Sequence, residues 1–239
     1  MTCPAPLRRR AGIAIMSGVK RVEIDPGRAG PRPFAQAVKS IVVPRPIAWV
    51  SSVSAAGVEN LAPHSFFTMA SEAPAVAQFT SIGAKDSLRN VLETREFVIS
   101  LASEPQFEQV NATGTDYPRE ISEFEALGIE REPSAVVRPP RVADSPAVME
   151  CRLLDTIEVG NGTIVLGEVL HLAIAQHVVL GTRGSKGDVG KGASDPGAAG
   201  GGDVRADINE LRPLARLGGI QWAQIGEIRE IHRIPYTDL

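Results

Sequence analysis

Cysteine is scarce: the 239 residues hold two, Cys3 and Cys151. That excludes a disulfide-built scaffold and suits a reducing compartment, so a cytoplasmic location is expected. Long apolar runs are missing as well. No stretch approaches the roughly 20 residues that span a bilayer as a helix, and no membrane association is expected. Charge of one sign is also lacking, with 25 basic against 28 acidic residues and a net charge of -3. A general nucleic-acid binder carries a strong basic excess, so nucleic acid is not an expected partner. What remains, a 43% hydrophobic share, is enough for one ordinary globular core.

The common phosphate-loop words are absent too. Nine of the 23 glycines crowd into residues 181–202, and Gly190-Lys191 invites a nucleotide-loop reading. That pattern needs glycine where Ser185 stands and a hydroxyl where Gly192 stands, so it fails twice. No G-x-G-x-x-G occurs, and no strand is expected to lead into the tract, which removes the main signature of a dinucleotide fold. Residues 181–206 have almost no large apolar side chain and are expected to form a flexible insertion, a linker rather than a lid. At the other end, Arg8-Arg9-Arg10 precede an apolar stretch shorter than the roughly 7–15 residues of a signal-peptide core. Residues 1–20 are therefore expected to be a disordered leader, with Met16 as a second candidate start. Residues 21–239 are expected to be one domain.

Between residues 40 and 180, strand signals dominate. Ile41–Val43, Ile47–Val53, Ala75–Thr80 and Phe97–Leu101 are short runs rich in β-branched, aromatic or other apolar residues, and Ser54–Gly57 reads as a turn. Leu153–Val159 and Thr163–Ala175 flank Gly160-Asn161-Gly162, a strong signal for a tight antiparallel hairpin. Helices are expected at Phe34–Ser40, Asp86–Arg95, Pro105–Ala112 and Ser122–Leu127. The sum is an α+β domain, mainly antiparallel β, built on a closed or nearly closed barrel with a few peripheral helices.

Catalytic groupings are sparse. His171 and His177 share parity in one expected strand, but two histidines without a third ligand make a poor zinc site, and no metal is expected. His232 stands apart. No G-x-S-x-G elbow occurs, and Cys151 has no histidine-pairing motif. One constellation stands out: PRPIAWVSS at 44–52, ENLAPHSFFTMAS at 59–71 and FTSIGAKDSLRN at 79–90. Pro63 among Asn60, Leu61, His64, Ser65 and Phe66 suits a sheet edge, where short polar groups and backbone face a ligand. Ser81, Lys85, Asp86 and Ser87 gather at the start of the third segment's helix. A helix start offers free N–H groups to a phosphate. The competing reading, Asp86 as a cap and Lys85 solvated, is favoured by spacing alone.

These segments together resemble the flavin reductase-like family with the FMN-binding split-barrel fold. Further matching words are Thr94-x-Glu96-Phe97-Val98, Ser122–Glu125, Ser145-Pro146 before Glu150-Cys151, Gly167-Glu168-Val169 and Arg216–Gly219. The resemblance implies a homodimeric split barrel holding FMN, or FAD in some relatives, and turns the reading of the helix start toward phosphate. It implies that Ser81, Lys85, Asp86 and Ser87 surround the flavin phosphate and ribityl chain. Trp49, Val50, Ser51 and Ser52, with Asn60, Ala62, Pro63, His64, Ser65 and Phe66, would line the ring, and Arg45 is a further candidate contact. His64, where relatives often show tyrosine, and Trp222 border the substrate region; His64 is the one candidate catalytic side chain. The implied activity is NAD(P)H-dependent flavin reduction, with a monooxygenase as the partner receiving reduced flavin. The alternatives are a reductase acting directly on a nitroaromatic or similar organic substrate, and a flavin-binding electron carrier without NAD(P)H activity.

Overall fold

A computed structural model describes residues 19–183 and 203–231. The expectations for the leader, for the glycine tract from 184 to 202 and for His232 lie outside the described residues. The chain divides into two units, one ending at Val38 and one beginning at Lys39. Helix α1 (Pro26–Ala29) starts where the Asp25 carboxylate accepts the Arg28 amide, and α2 spans Pro31–Ile41. The strand expected at Ile41–Val43 is not formed: Ile41 closes α2, and Val42-Val43 join no strand before Pro44. Their side chains stay exposed, so β-branching there has no sheet surface to pack on.

From Lys39 onward the order begins β1 (Arg45–Pro46), β2 (Ala48–Val53), β3 (Glu59–His64), β4 (Phe67–Glu72), β5 (Ala75–Ile82), α3 (Asp86–Thr94) and β6 (Glu96–Leu101). There follow α4 (Phe107–Ala112), α5 (Glu123–Leu127), β7 (Arg131–Glu132), β8 (Arg141–Val142), and the long pair β9 (Ala147–Val159) and β10 (Gly162–Ile174). The described chain ends with β11 (Val179–Arg183), β12 (Asp203–Ala206), α6 (Ile208–Leu211), β13 (Ala215–Arg216) and β14 (Trp222–Ala223). Seven strands form one antiparallel sheet in the order β3-β2-β6-β9-β10-β5-β4, the split-barrel wall. The Thr80 amide donates to Phe66 O at 2.9 Å, so the β3–β4 connection curls back onto β5.

Alternation on β2 explains how the wall is packed. Ala48 and Val50 face an inner core with Phe79, Phe97, Ile99, Cys151 and Val165. Trp49 and its neighbour Ile47 face a second core with Leu61, Val110, Phe124 and Leu214. A strand covered on both faces needs apolar residues at both parities, which is why this run reads as nearly continuous. The inner core also dictates Gly167: a Cβ there would lie 2.2 Å from Phe97 Cζ. Cys151 is a buried wall residue whose thiol is pushed up to about 12 by burial, so it stays protonated. The neighbouring carboxylate, Glu150, is fully buried. Burial raises its pKa, but the Ala135 and Val136 amides and the Arg141 guanidinium outweigh that and hold it below the ordinary value.

Two further expectations are corrected. His171 lies in β10, whereas His177 sits in a short 3-10 turn at Gln176–Val178, so the two do not share a strand. A strand does lead into the glycine tract, because β11 and β12 pair across it, Val179 with Ala206 and Leu180 with Arg205. The flanks carry Val179, Leu180 and Val204, enough β-forming residues for a two-stranded ribbon despite the glycines between.

Candidate functional site

Strand β3 is one edge of the sheet, and its free side opens onto a cleft of about 470 Å³. Asn60, Ala62, Pro63, His64, Ser65 and Phe66 form one wall. Pro63 has no N–H to leave unpaired, which suits it to an edge. Lys85, Asp86, Ser87 and Arg89, from the start of α3, form a second wall, and Thr113–Tyr117 a third. No side chain caps α3; its N-cap, Lys85, is extended. The first-turn amides therefore point out with the positive end of the helix dipole behind them.

Behind this surface runs a buried polar chain. Ser87 Oγ donates to Asn60 Oδ1 at 2.9 Å, and His64 Nε2 lies 3.3 Å from the same hydroxyl. Asn60 Nδ2 donates to both Glu123 carboxylate oxygens, at 2.9 and 3.1 Å, and the Leu61 amide to Oε2 at 2.8 Å. Burial raises the Glu123 pKa, opposed by those hydrogen bonds. Burial also takes His64 down to about 4, against a hydrogen bond to the Thr80 backbone that raises it. At neutral pH the imidazole is neutral, packed against Phe79 with ring centroids 4.6 Å apart. It is a weak acid catalyst at that pH.

Nine of the residues singled out from sequence meet in this cleft: Asn60, Ala62, Pro63, His64, Ser65, Phe66, Lys85, Asp86 and Ser87. Six do not line it. Trp49, Val50, Ser51, Ser52 and Ser81 are fully buried. Trp49 Nε1 donates to Thr113 Oγ1 at 2.9 Å, Ser51 Oγ to Pro140 O at 2.5 Å, and Ser81 Oγ to Gly83 O at 3.0 Å. Ser52 Oγ accepts from Asn90 Nδ2 at 3.2 Å, and Arg45 sits behind Phe66, its Cζ 6.0 Å from the ring centroid. Sequence reasoning missed Lys39, Arg89, Glu123 and the Thr113–Tyr117 wall. The run Thr-Gly-Thr-Asp-Tyr has the small and hydroxyl residues of a ligand loop, the only signal that marked it.

The cleft suits a phosphorylated planar cofactor. Its volume is that of a small-molecule site, about 300–1,000 Å³. Hydroxyls and cations gather at an uncapped helix start, and Arg89 Nε is a buried donor with no partner among the described residues. An antiparallel split barrel with such a cleft on its edge strand defines the class: a flavoprotein of the flavin reductase type. Residues 40–184 match the flavin reductase like domain, and the chain belongs to that family. An uncharacterized protein of Deinococcus radiodurans is 39% identical over 199 residues, covering 79% of this chain and 87% of its own. Among solved structures, nitrilotriacetate monooxygenase component B of Bacillus cereus is 26% identical with a TM-score of 0.76, covering 90% of this chain and 100% of that one. The 2-nitrobenzoate 2-nitroreductase of Pseudomonas fluorescens is 26% identical with a TM-score of 0.74, covering 90% and 97%.

Proposed function

We propose that the protein is an NAD(P)H:flavin oxidoreductase that holds FMN in the β3–α3 cleft and passes reduced flavin to a partner monooxygenase. The observation that carries this is the uncapped start of α3, with Lys85 and Ser87 beside it, facing the neutral residues Asn60, Ala62, Pro63 and His64 of the edge strand. Bound there, the flavin would supply hydride chemistry that no side chain of the cleft can perform. The residues do the rest. The α3 amides, that of Ser87 among them, and Lys85 hold the phosphate. The Ala62–Phe66 wall orients the ring, and neutral His64, held by Ser87 and the Thr80 backbone, supports that wall without adding charge. Similarity to a monooxygenase component B supports the partner.

A second reading, direct reduction of a nitroaromatic, draws on the comparable similarity to a 2-nitrobenzoate nitroreductase. A homodimer fits the exposed apolar side chains along the sheet, among them Met69, Leu154, Ile157, Val159 and Leu172. The deciding experiment releases and identifies the chromophore, then titrates the holoprotein anaerobically with NADH and NADPH. Bleaching of the flavin by either nucleotide is expected; a flavin that stays oxidised with both leaves an electron carrier instead. Turnover of 2-nitrobenzoate faster than free flavin reduction would select the second reading.

A further inference from the structure

The cations in and around the cleft fall into two groups that differ in how their charge is met. At the α3 side every one has a carboxylate: Lys85 pairs with Asp116 at 3.0 Å, Arg89 with Asp86, and nearby Arg119 with Glu93 at 3.2 Å. At the Phe66 side stand Lys39, Arg45 and Arg216, and none of them has an ion-pair partner among the described residues. Arg45 Nη1 donates to Lys39 O and Val42 O, and Nη2 to Leu217 O, each at 2.7 Å. Arg216, its cross-strand neighbour, donates to Gly219 O at 3.0 Å and stacks on Trp222 at 4.5 Å. The 216–219 turn makes this possible. Gly219 takes φ 58, and Gly218 lets Ser40 approach to within 3.3 Å of where a Cβ would be. Carbonyl oxygens satisfy guanidinium donors without cancelling their charge, so the positive field persists. Arg45, only 8% exposed, keeps Nε without a partner, and its pKa is lowered by burial and by Arg216. Lys39 is half-buried, lines the cleft and is the cation of the three that a ligand can touch.

We propose that the Phe66 side of the cleft recognises an anionic second substrate, a planar compound carrying a carboxylate or phosphate, with Lys39 as the direct contact. Arg45 and Arg216 act as positioning residues that hold the field and the wall. Phe66, 37% exposed, offers the planar ring a face. The inference rests on the flavin reading in so far as it calls the ligand a second substrate; the anion site itself does not need bound flavin.

The test uses the full chain, as purified and after saturation with FMN, with binding followed by isothermal titration calorimetry. Two matched pairs of probes separate the possible sources of the anion: 4-nitrobenzoate against 4-nitrobenzamide, and the redox-inert 1,4,5,6-tetrahydro form of nicotinamide mononucleotide against that of nicotinamide riboside, which differ by the phosphate alone. Lys39→Ala is expected to weaken the charged member of at least one pair about tenfold, leave its neutral partner within twofold, and be rescued by Lys39→Arg. The pair that responds names the source. Failure of both charged probes to bind the unmodified protein overturns the proposal, as does equal loss for charged and neutral members or no loss at all. A chain that shows this pattern yet never takes up FMN keeps the anion site and loses the flavin reading.

Discussion

Strands β2 and β3 are paired residue for residue, Ala48 with His64, Trp49 with Pro63, Val50 with Ala62 and Ser52 with Asn60, yet they serve opposite ends. β2 lies between β3 and β6 with both faces in core, and from Ala48 to Ser52 every residue is fully buried. β3 has one free side, and four of its six residues, Asn60, Ala62, Pro63 and His64, reach the cleft. Both words read as ligand-facing in sequence. Position in the sheet separates them: a central strand's backbone is spent on its two neighbours, and an edge strand keeps one row free. β2 is therefore the template on which β3 is held, and the predictions below break one strand's role without the other's, from the largest effect to the smallest.

Trp49→Ala removes the largest fully buried side chain and leaves Thr113 Oγ1 without its donor. A loss of about 3–5 kcal/mol is expected in urea unfolding, the range for large-to-small aromatic substitutions in a core. Because Thr113 lines the cleft, FMN affinity should fall as well. An unchanged midpoint would mean that β2 is not the template. Glu123→Ala attacks the edge strand from its anchor. It leaves the Asn60 amide and the Leu61 N–H buried without an acceptor, at about 2–3 kcal/mol. Glu123→Gln keeps one acceptor oxygen and is expected to recover part of that loss.

These two substitutions also show what the sequence could disclose. The β9–β10 hairpin is legible because its determinant is local: Gly160, at φ 60, and Asn161 make the turn between two runs of strand formers. The family words around β2, β3 and α3 are equally local, and nine of their residues do converge. Burial of Trp49 and Val50 was not legible, since it depends on residues far along the chain: α5, β8 and Leu214 around Trp49, Phe97, Cys151 and Val165 around Val50. Glu123 lies 62 residues from the amide it anchors, and its word, Ser-Glu-Phe-Glu, reads as an ordinary helix start. Ile41–Val43 misled for the same reason in reverse: strand propensity without a neighbour to pair yields no strand.

His64 offers a pH test of the edge strand against the exposed surface. Its folded pKa of about 4 lies below the ordinary 6.5, so the folded state binds fewer protons than the unfolded one in that interval. The stabilisation is complete above pH 6.5 and is lost as pH falls toward 4, at about 1.4 kcal/mol per unit. Between pH 6.5 and 5 the protein should lose about 2 kcal/mol by this route. Glu123, raised by burial, contributes with the opposite sign just above the ordinary carboxylate value. Comparing the unmodified protein with His64→Gln at both pH values isolates the histidine, and the variant should be flatter. Parallel slopes would place the proton uptake elsewhere.

The smallest stability effect belongs to Lys85 and Asp116, and it separates a structural ion pair from a ligand site. Their side chains are 55% and 92% exposed, and a pair that exposed contributes only about 0–1 kcal/mol. Lys85→Ala and Asp116→Asn should therefore both leave the unfolding midpoint almost unmoved. If Lys85 serves only Asp116, FMN binding should be equally indifferent to both changes. If Lys85 serves the phosphate, the two diverge. Losing the ammonium should weaken FMN several-fold to about tenfold, the scale of a charge-assisted hydrogen bond at a partly solvated site. Losing the competing carboxylate should tighten FMN modestly. Riboflavin, which has no phosphate, is the control that should respond to neither substitution. Fluorescence titration of both flavins against the three proteins measures all of this, and raising the salt concentration should shrink the FMN differences toward the riboflavin baseline. Divergence for FMN with none for riboflavin assigns the charge at the start of α3 to the ligand, and with it the open edge of β3 to binding and the closed strand β2 to support.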